Sequence, residues 1–425
     1  MDKALNKNYN RLIFLGIFLY FSIMFAKQIF NAEIIEIQEV FGATATNTSL
    51  VTLIYYVVYA ISQAFLVLFI DKIKLRVYLS ATLFVSAILT ILIGIVGNMG
   101  AGLPFLFVVF ALNGVLQAGN YAGLVRIFNK YLNREKYMLA MKFISIVAAV
   151  SLAGSYGLSS IFVAISRWEI PFIITGLIFL FSVALFFFGL KPTVKSIKSL
   201  GHVEKDAKEK SEKPKKVILS AKTKRLEVWF LASICIMALF GNYLYYALNN
   251  WFSKLIYDVY GIPKHYSILI SVGIALLTAV ASTLAITYFN KTKKGSLTTA
   301  IGFSVAAVIA AVLSFTYDLN VLYTIFMCIL FIFVIQGLKT QYSAITPYEV
   351  REIIEPGKFS LIFNSMASIA AGCSPTVMSL MFENFGWRVS FISLVVISIV
   401  LVFNVVGLKV SKRKMVYEYY NEKLQ

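Results

Sequence analysis

Two lysines stand inside apolar stretches, where a charge is expensive. Lys27 follows Leu12 by fifteen positions (27 − 12), which places it roughly 22 Å along a helix that rises about 1.5 Å per residue. That is past the middle of a hydrocarbon layer of roughly 30 Å. Tyr20, Lys27 and Asn31 share a helical face. Lys339 lies in a second apolar stretch, on a face with Gln336 and Ser343. A charged side chain at such depth costs about 2.5–3.5 kcal/mol on insertion scales, so these residues mark candidate working positions. The chemistry open to a sequestered ammonium is attraction of an anion. The competing use is snorkelling, with the head drawn out to the interface, and for Lys339, close to the end of its stretch, the two readings weigh equally.

Uncharged polar residues fall in stripes. Asn113, Gln117 and Asn120 form one stripe at helical spacing, and Asn242, Tyr245, Tyr246 and Asn249 form another. Such stripes hydrogen-bond a hydroxylated or carboxylated solute, or else neighbouring helices. Tyr55, Tyr56 and Tyr59 are open to the same two readings, and aromatic belts are a third. No Asp or Glu lies in the middle of an apolar stretch. That speaks against proton coupling through a buried carboxylate. His202 and His265 sit outside or at the end of the stretches, poor places for a relay. Cys235, Cys328 and Cys373 read as small apolar fillers. With no nucleotide loop, metal cluster or nucleophile triad, an enzyme, a metal and a cofactor are not expected.

The elements that must hold these residues are membrane helices. Of 425 residues 59% are hydrophobic and 14% charged, against about 25% charged in soluble domains. Twelve stretches are long enough to cross a bilayer: roughly 12–32, 47–70, 77–97, 103–128, 138–163, 168–190, 227–253, 265–289, 296–316, 320–345, 359–382 and 386–408. The net charge of +19 is not a nucleic-acid footprint. Its basic residues gather in alternate loops, among them Lys72, Lys74, Arg76, Lys130, Arg134, Lys291, Lys293, Lys294 and Lys412, while Glu33, Glu36, Glu39, Asp258, Asp318 and Glu383 occupy the others. This positive-inside pattern places both termini in the cytoplasm of a multi-pass protein of the cell membrane. The first stretch has no small-residue cleavage site, so it reads as a span and not as a signal peptide. Arg126 and Lys142 read as further topology determinants.

A repeat organises the spans. Asp71 opens the basic loop Asp-Lys-Ile-Lys-Leu-Arg, and Asn290 opens Asn-Lys-Thr-Lys-Lys 219 positions later (290 − 71). Trp168 and Trp387 open spans at the same offset (387 − 168). Two similar six-helix halves are implied, 1–190 and 227–410, joined by a Lys-rich stretch, 191–226, and followed by a tail, 411–425. The 191–226 stretch reads as a mobile solvated tether near anionic headgroups. The Asp71 loop resembles the signature loop between helices 2 and 3 of the major facilitator superfamily, with Ile73-Lys74-Leu75 where that pattern has a glycine. An acidic group beside Lys72 and Arg76 could hold the halves in one state and release them in another.

The chain as a whole resembles the organophosphate:phosphate antiporters of that superfamily. The likeness rests on Ala26-Lys27-Gln28-Ile29-Phe30-Asn31, Gln117-Ala118-Gly119-Asn120, Arg126, Asn133-Arg134-Glu135-Lys136 and Tyr246-Ala247-Leu248-Asn249-Asn250-Trp251. It implies antiport of a phosphorylated metabolite. That family grips phosphate between two arginines, one from each half, and Ala26 and Tyr245 stand at those positions here. A lysine lacks the planar fork of arginine, so the change suits a carboxylate, another monoanion or a neutral polar solute.

The expectation is therefore an all-α membrane protein of twelve helices in two pseudo-symmetric six-helix bundles. It would be a monomeric secondary active transporter in the lipid bilayer, moving a small organic anion by alternating access, with no nucleic-acid partner. The candidate site residues are Lys27, Asn120, Tyr245, Tyr246, Asn249 and Lys339, with Asp71, Lys72 and Arg76 as gating residues. A uniporter or symporter of a sugar or nucleoside is the alternative, and a transporter-like receptor a third reading.

Overall fold

The structure is a computed structural model that describes residues 2–69, 73–100, 102–200, 220–292, 295–346, 354 and 356–424. Every regular element among these residues is helical. They are α1 (Asp2–Ala32), α2 (Ile34–Val40), α3 (Ala45–Phe69), α4 (Leu75–Asn98), α5 (Leu103–Gln117), α6 (Asn120–Tyr131), α7 (Arg134–Val163), α8 (Glu169–Ser199), α9 (Ala221–Tyr260), α10 (Lys264–Thr292), α11 (Gly295–Thr316), α12 (Val321–Thr340), a π-helical turn (Gln341–Ile345) and α13 (Pro356–Leu424). Eleven segments are long and apolar enough to cross a membrane. The last of them bends at Gly386, whose φ of 80° and ψ of 169° interrupt the helix. Divided there, it supplies both the eleventh and the twelfth span. A bilayer core offers no water to backbone groups, so helices that satisfy their own hydrogen bonds are the economical answer to so apolar a chain.

The helix ends follow local chemistry. Asn133 accepts from the Lys136 amide to start α7, and Ser220 and Asn320 do the same for α9 and α12. Gly261 ends α9 in the left-handed region at φ 64°. The stretch expected as a linker over 191–226 is helical at both ends. Residues 191–199 continue α8 and residues 221–226 open α9, so these Lys-rich ends extend helices whose apolar parts are already formed; residues 201–219 lie outside the described set. The tail from 411 continues α13 to Leu424.

The chain forms two compact units. The first comprises Met1–Thr44, Leu50–Glu212 and Lys264–Leu276; the second comprises Ala45–Ser49, Lys213–Pro263 and Leu277–Gln425. Both α3 and α10 are thus shared out, each giving its first residues to the other unit, which a simple division into halves does not foresee. In the first unit, Leu12, Leu15, Leu19 and Ile23 of α1 pack with Leu79 and Leu83 of α4, Leu124 and Phe128 of α6, and Phe179 and Phe186 of α8. Gly16 lets this core close, because a Cβ there would fall 2.4 Å from the Phe128 ring. In the second unit α9 packs on α13, where the Trp251 indole donates to the Pro375 carbonyl at 2.8 Å.

Two irregularities lie about one helical turn apart under the 219-residue offset. The fourth span breaks at Ala118-Gly119, between α5 and α6, where a Cβ on Gly119 would meet Leu66 and Tyr78 at 2.6 Å. The tenth span loosens into the π-helical turn directly after Thr340. Moving back by the 219-residue offset carries Gln336 and Lys339 onto Gln117 and Asn120 (336 − 219 and 339 − 219). Breaks of this kind recur where helices line a working site.

Candidate substrate-binding site

In the first unit the Lys27 side chain leans from α1 onto three tyrosines of α3. Its Nζ lies 4.4 Å from the Tyr56 ring centroid and 5.1 Å from those of Tyr55 and Tyr59. These are cation–π distances, each contact stabilising by about 0.5–2 kcal/mol according to solvent access. The rings are placed by helical spacing: Tyr55 and Tyr59 are four apart and stack, and Tyr56 stands edge-on to Tyr55.

Behind the rings runs a buried polar network. The Tyr55 hydroxyl donates to Gln117 Oε1 at 2.7 Å, Gln117 Nε2 donates to Ser86 Oγ at 2.8 Å, and Ser86 Oγ donates to Asn113 Oδ1. Three helices, α3, α4 and α5, are tied by it. It fixes Tyr55 and so the floor of the lysine's nest. A cavity of about 20 Å³ opens beside it, lined among others by Lys27, Asn31, Tyr56 and Gln117. That is the room of roughly one water. A carboxylate or phosphate oxygen fits there, and the body of a solute does not.

In the second unit Lys339 repeats the arrangement with different helices. Its Nζ, from α12, lies 4.0 Å from the Tyr245 centroid and 4.6 Å from that of Tyr246, both on α9. The two rings meet edge to face. One turn earlier in α12, Gln336 Nε2 donates to Ser282 Oγ of α10 at 3.0 Å, and the Thr340 hydroxyl donates to the same oxygen at 2.9 Å. Tyr342, in the π-helical turn, is buried with its hydroxyl unpartnered, and it packs so tightly on α9 that a Cβ on Gly241 would fall 2.2 Å from the Tyr342 oxygen. Among the described residues no carboxylate lies within ion-pair distance of Lys27 or Lys339; Glu169, Glu418, Asp258, Glu36 and Glu39 pair instead with Arg167, Lys222, Lys254 and Lys264.

The residues singled out in the sequence are thus partly gathered. Lys339 meets Tyr245 and Tyr246, while Asn249 is buried a turn further along α9, beyond those contacts. Asn120 begins α6, directly after the break at 118–119, and its side-chain oxygen takes the amide of Tyr121. Asn31 lines the Lys27 cavity as expected, whereas Tyr20 packs on Tyr121. Of the gating set, Arg76 turns to α8, where its Nε donates to the Phe187 carbonyl at 2.9 Å and its guanidinium lies over the Phe187 ring. Asp71 and Lys72 lie outside the described residues. Ser86, Ser282 and Tyr342 were missed: a serine or tyrosine within an apolar run carries no mark of the helix it will face.

The sequence matches the profile of the Major Facilitator Superfamily over residues 16–353. No curated protein matches it. Among solved structures, the chain is similar to a bacterial homolog of the human lysosomal transporter Spinster in its inward-facing, unoccupied conformation, with a TM-score of 0.78 at 13% identity over 97% of this chain and 98% of that one. The occupied inward-facing form of a bacterial Spinster homolog gives 0.65 at 13% identity, covering 96% of each chain. The nucleoside transporter NupG gives 0.62 at 14% identity, over 94% of this chain and 98% of that one.

Proposed function

The chain belongs to the major facilitator superfamily, and we propose that this small-solute transporter carries a small organic anion, a carboxylate or a phosphorylated metabolite, by alternating access. One observation carries the choice of an anion: each unit holds an ammonium in a nest of tyrosines with, among the described residues, no carboxylate beside it. A buried cation without a counter-ion costs several kcal/mol. Cation–π contacts offset part of that, and an arriving anion supplies the rest. The resemblance to organophosphate antiporters fits Lys27 but not Ala26 and Tyr245, which stand where that family has arginines. A lysine is a point charge and makes fewer demands on the shape of the anion.

The same reading makes 1–190 and 227–410 the moving bundles and puts both termini in the cytoplasm, as the distribution of basic loops directs. A second reading, a neutral sugar or nucleoside, is favoured by the network of Tyr55, Gln117, Ser86 and Asn113, whose amides and hydroxyls suit hydroxyl groups. A ligand-stabilisation screen of the purified protein separates the two, because a binder raises the melting temperature by mass action. Mono- and dicarboxylates, phosphate monoesters, sugars and nucleosides form the panel. Stabilisation by the anions, lost in Lys27→Gln and Lys339→Gln, is the expected result. Stabilisation by sugars or nucleosides that both variants retain refutes the anion reading.

A further inference from the structure

Glu33 is a buried carboxylate with no base beside it. It stands at the junction of α1 and α2, directly after the first span, and is 0% exposed. Its backbone continues the helical pattern on both sides, its amide donating to the Ile29 carbonyl and its carbonyl accepting from Ile37. Its side chain does not cap α2, which removes the commonest reason for an acid at a helix start. Neither carboxyl oxygen has a hydrogen-bond partner among the described residues. The Ser159 hydroxyl of α7 faces it, and both Ser159 and Tyr156 are themselves buried without partners.

Its neighbours sharpen the contrast. On α2, Glu36 and Glu39 are both paired with Lys264, the first residue of α10. On α8, Glu169 is paired with Arg167. His265 of α10 gives its carbonyl to the Ser160 hydroxyl and rests its ring against Tyr266. The two cations in the group are therefore engaged by other carboxylates, and Glu33 has acids and hydroxyls around it. Ala32 beside it belongs to an apolar cluster with Tyr156 and Val163 of α7 and Ile268 and Ala275 of α10, so these helices keep water away. An ionised carboxylate in such a setting would be strongly unfavourable, and the group takes a proton instead. Burial pushes its carboxyl well above the usual carboxylate range; the facing Ser159 hydroxyl opposes that shift, and the charges of Glu36 and Glu169 add to it.

We propose that Glu33 is a proton-binding site: its carboxyl is protonated while the ends of α1, α7 and α10 are packed together, and gives the proton to bulk water when α10 parts from α2 and α7. The balance is simple. A carboxylate takes one proton from water on closing and returns it on opening, and no other bond changes. The inference rests on the transporter reading for the cycle that opens this end of the protein, and it names the proton as the ion exchanged there.

The test uses the full chain in lipid nanodiscs and the proton itself as probe, with no solute, so its failure is separate from failure of the anion reading. Infrared spectra of wild type and Glu33→Gln near pH 7 should differ by the carbonyl band of a protonated carboxyl. Hydrogen exchange of the α2 amides, divided by their intrinsic rates, reports opening. In wild type, opening should increase about tenfold per pH unit above the ordinary glutamate value of about 4.3, until the closed form itself titrates. In Glu33→Gln it should not change with pH. Should that variant fail to fold, the wild-type pH series decides alone. Loss of no protonated-carboxyl band, or wild-type opening that is flat with pH, overturns the proposal.

Discussion

Replacing Lys27 by Gln separates a binding charge from a packing group. Gln keeps much of the stem, loses the charge, and leaves the rings of Tyr55, Tyr56 and Tyr59 in place. Two unit charges about 4 Å apart attract by about 4 kcal/mol at an effective dielectric of about 20. Part of that is already met by the cation–π contacts at 4.4–5.1 Å, which the lysine keeps when the site is empty. A net loss of about 2–4 kcal/mol follows, or roughly 30- to 700-fold in the dissociation constant for an anion. Stability of the empty protein should move the other way or not at all, because the variant no longer buries a cation lacking a counter-ion. The assay is titration calorimetry with whichever anion stabilises the wild type, together with the melting temperature of the unliganded variant. A change in affinity under about threefold would refute the electrostatic argument. So would a large drop in the empty protein's melting temperature, which would make Lys27 a structural group.

Three further outcomes follow from the geometry. Ser86→Ala leaves Asn113 Oδ1 and Gln117 Nε2 without the partner they share and should cost about 1–3 kcal/mol, read as a lower midpoint in chemical denaturation. Gly241→Ala places a Cβ 2.2 Å from the Tyr342 oxygen. Tyr342 is fully buried, so the strain should cost about 1–3 kcal/mol, and the Tyr342→Phe background should relieve it. Because the Glu33 carboxyl is raised in the folded protein, the folded state binds more protons than the unfolded chain. The resulting stabilisation is fully present below the unfolded value of about 4.3 and is lost as pH rises through the folded value. The wild-type melting temperature should accordingly fall with rising pH relative to Glu33→Gln, and parallel curves would contradict it.

What the sequence disclosed was whatever one helix can state by itself. The apolar runs follow from a cost paid along a single span, and the helices expected from them agree with the all-helical structure. Partners across helices were out of reach. That Lys27 would meet α3, and that Lys339 would meet α9, depends on how the helices pack. The interruption at Ala118-Gly119, where Leu66 and Tyr78 come close, was equally out of reach of periodicity within one helix.

Glu33 gives the same lesson with a consequence for mechanism. Position along a span was the measure by which proton coupling through a buried carboxylate was disfavoured. The energy of a charge depends on the water and dipoles around it, not on its rank in the helix. Glu36, three residues later, obeys the simple rule by finding Lys264. Glu33 is fully buried and faces Ser159 of α7, more than a hundred positions away. An acid that can be covered by one arrangement of helices and wetted by another is better placed to follow an opening and closing cycle than one fixed at the centre of a span. If Glu33 binds the proton as proposed, the missing mid-span carboxylate carries no weight against proton coupling in this chain.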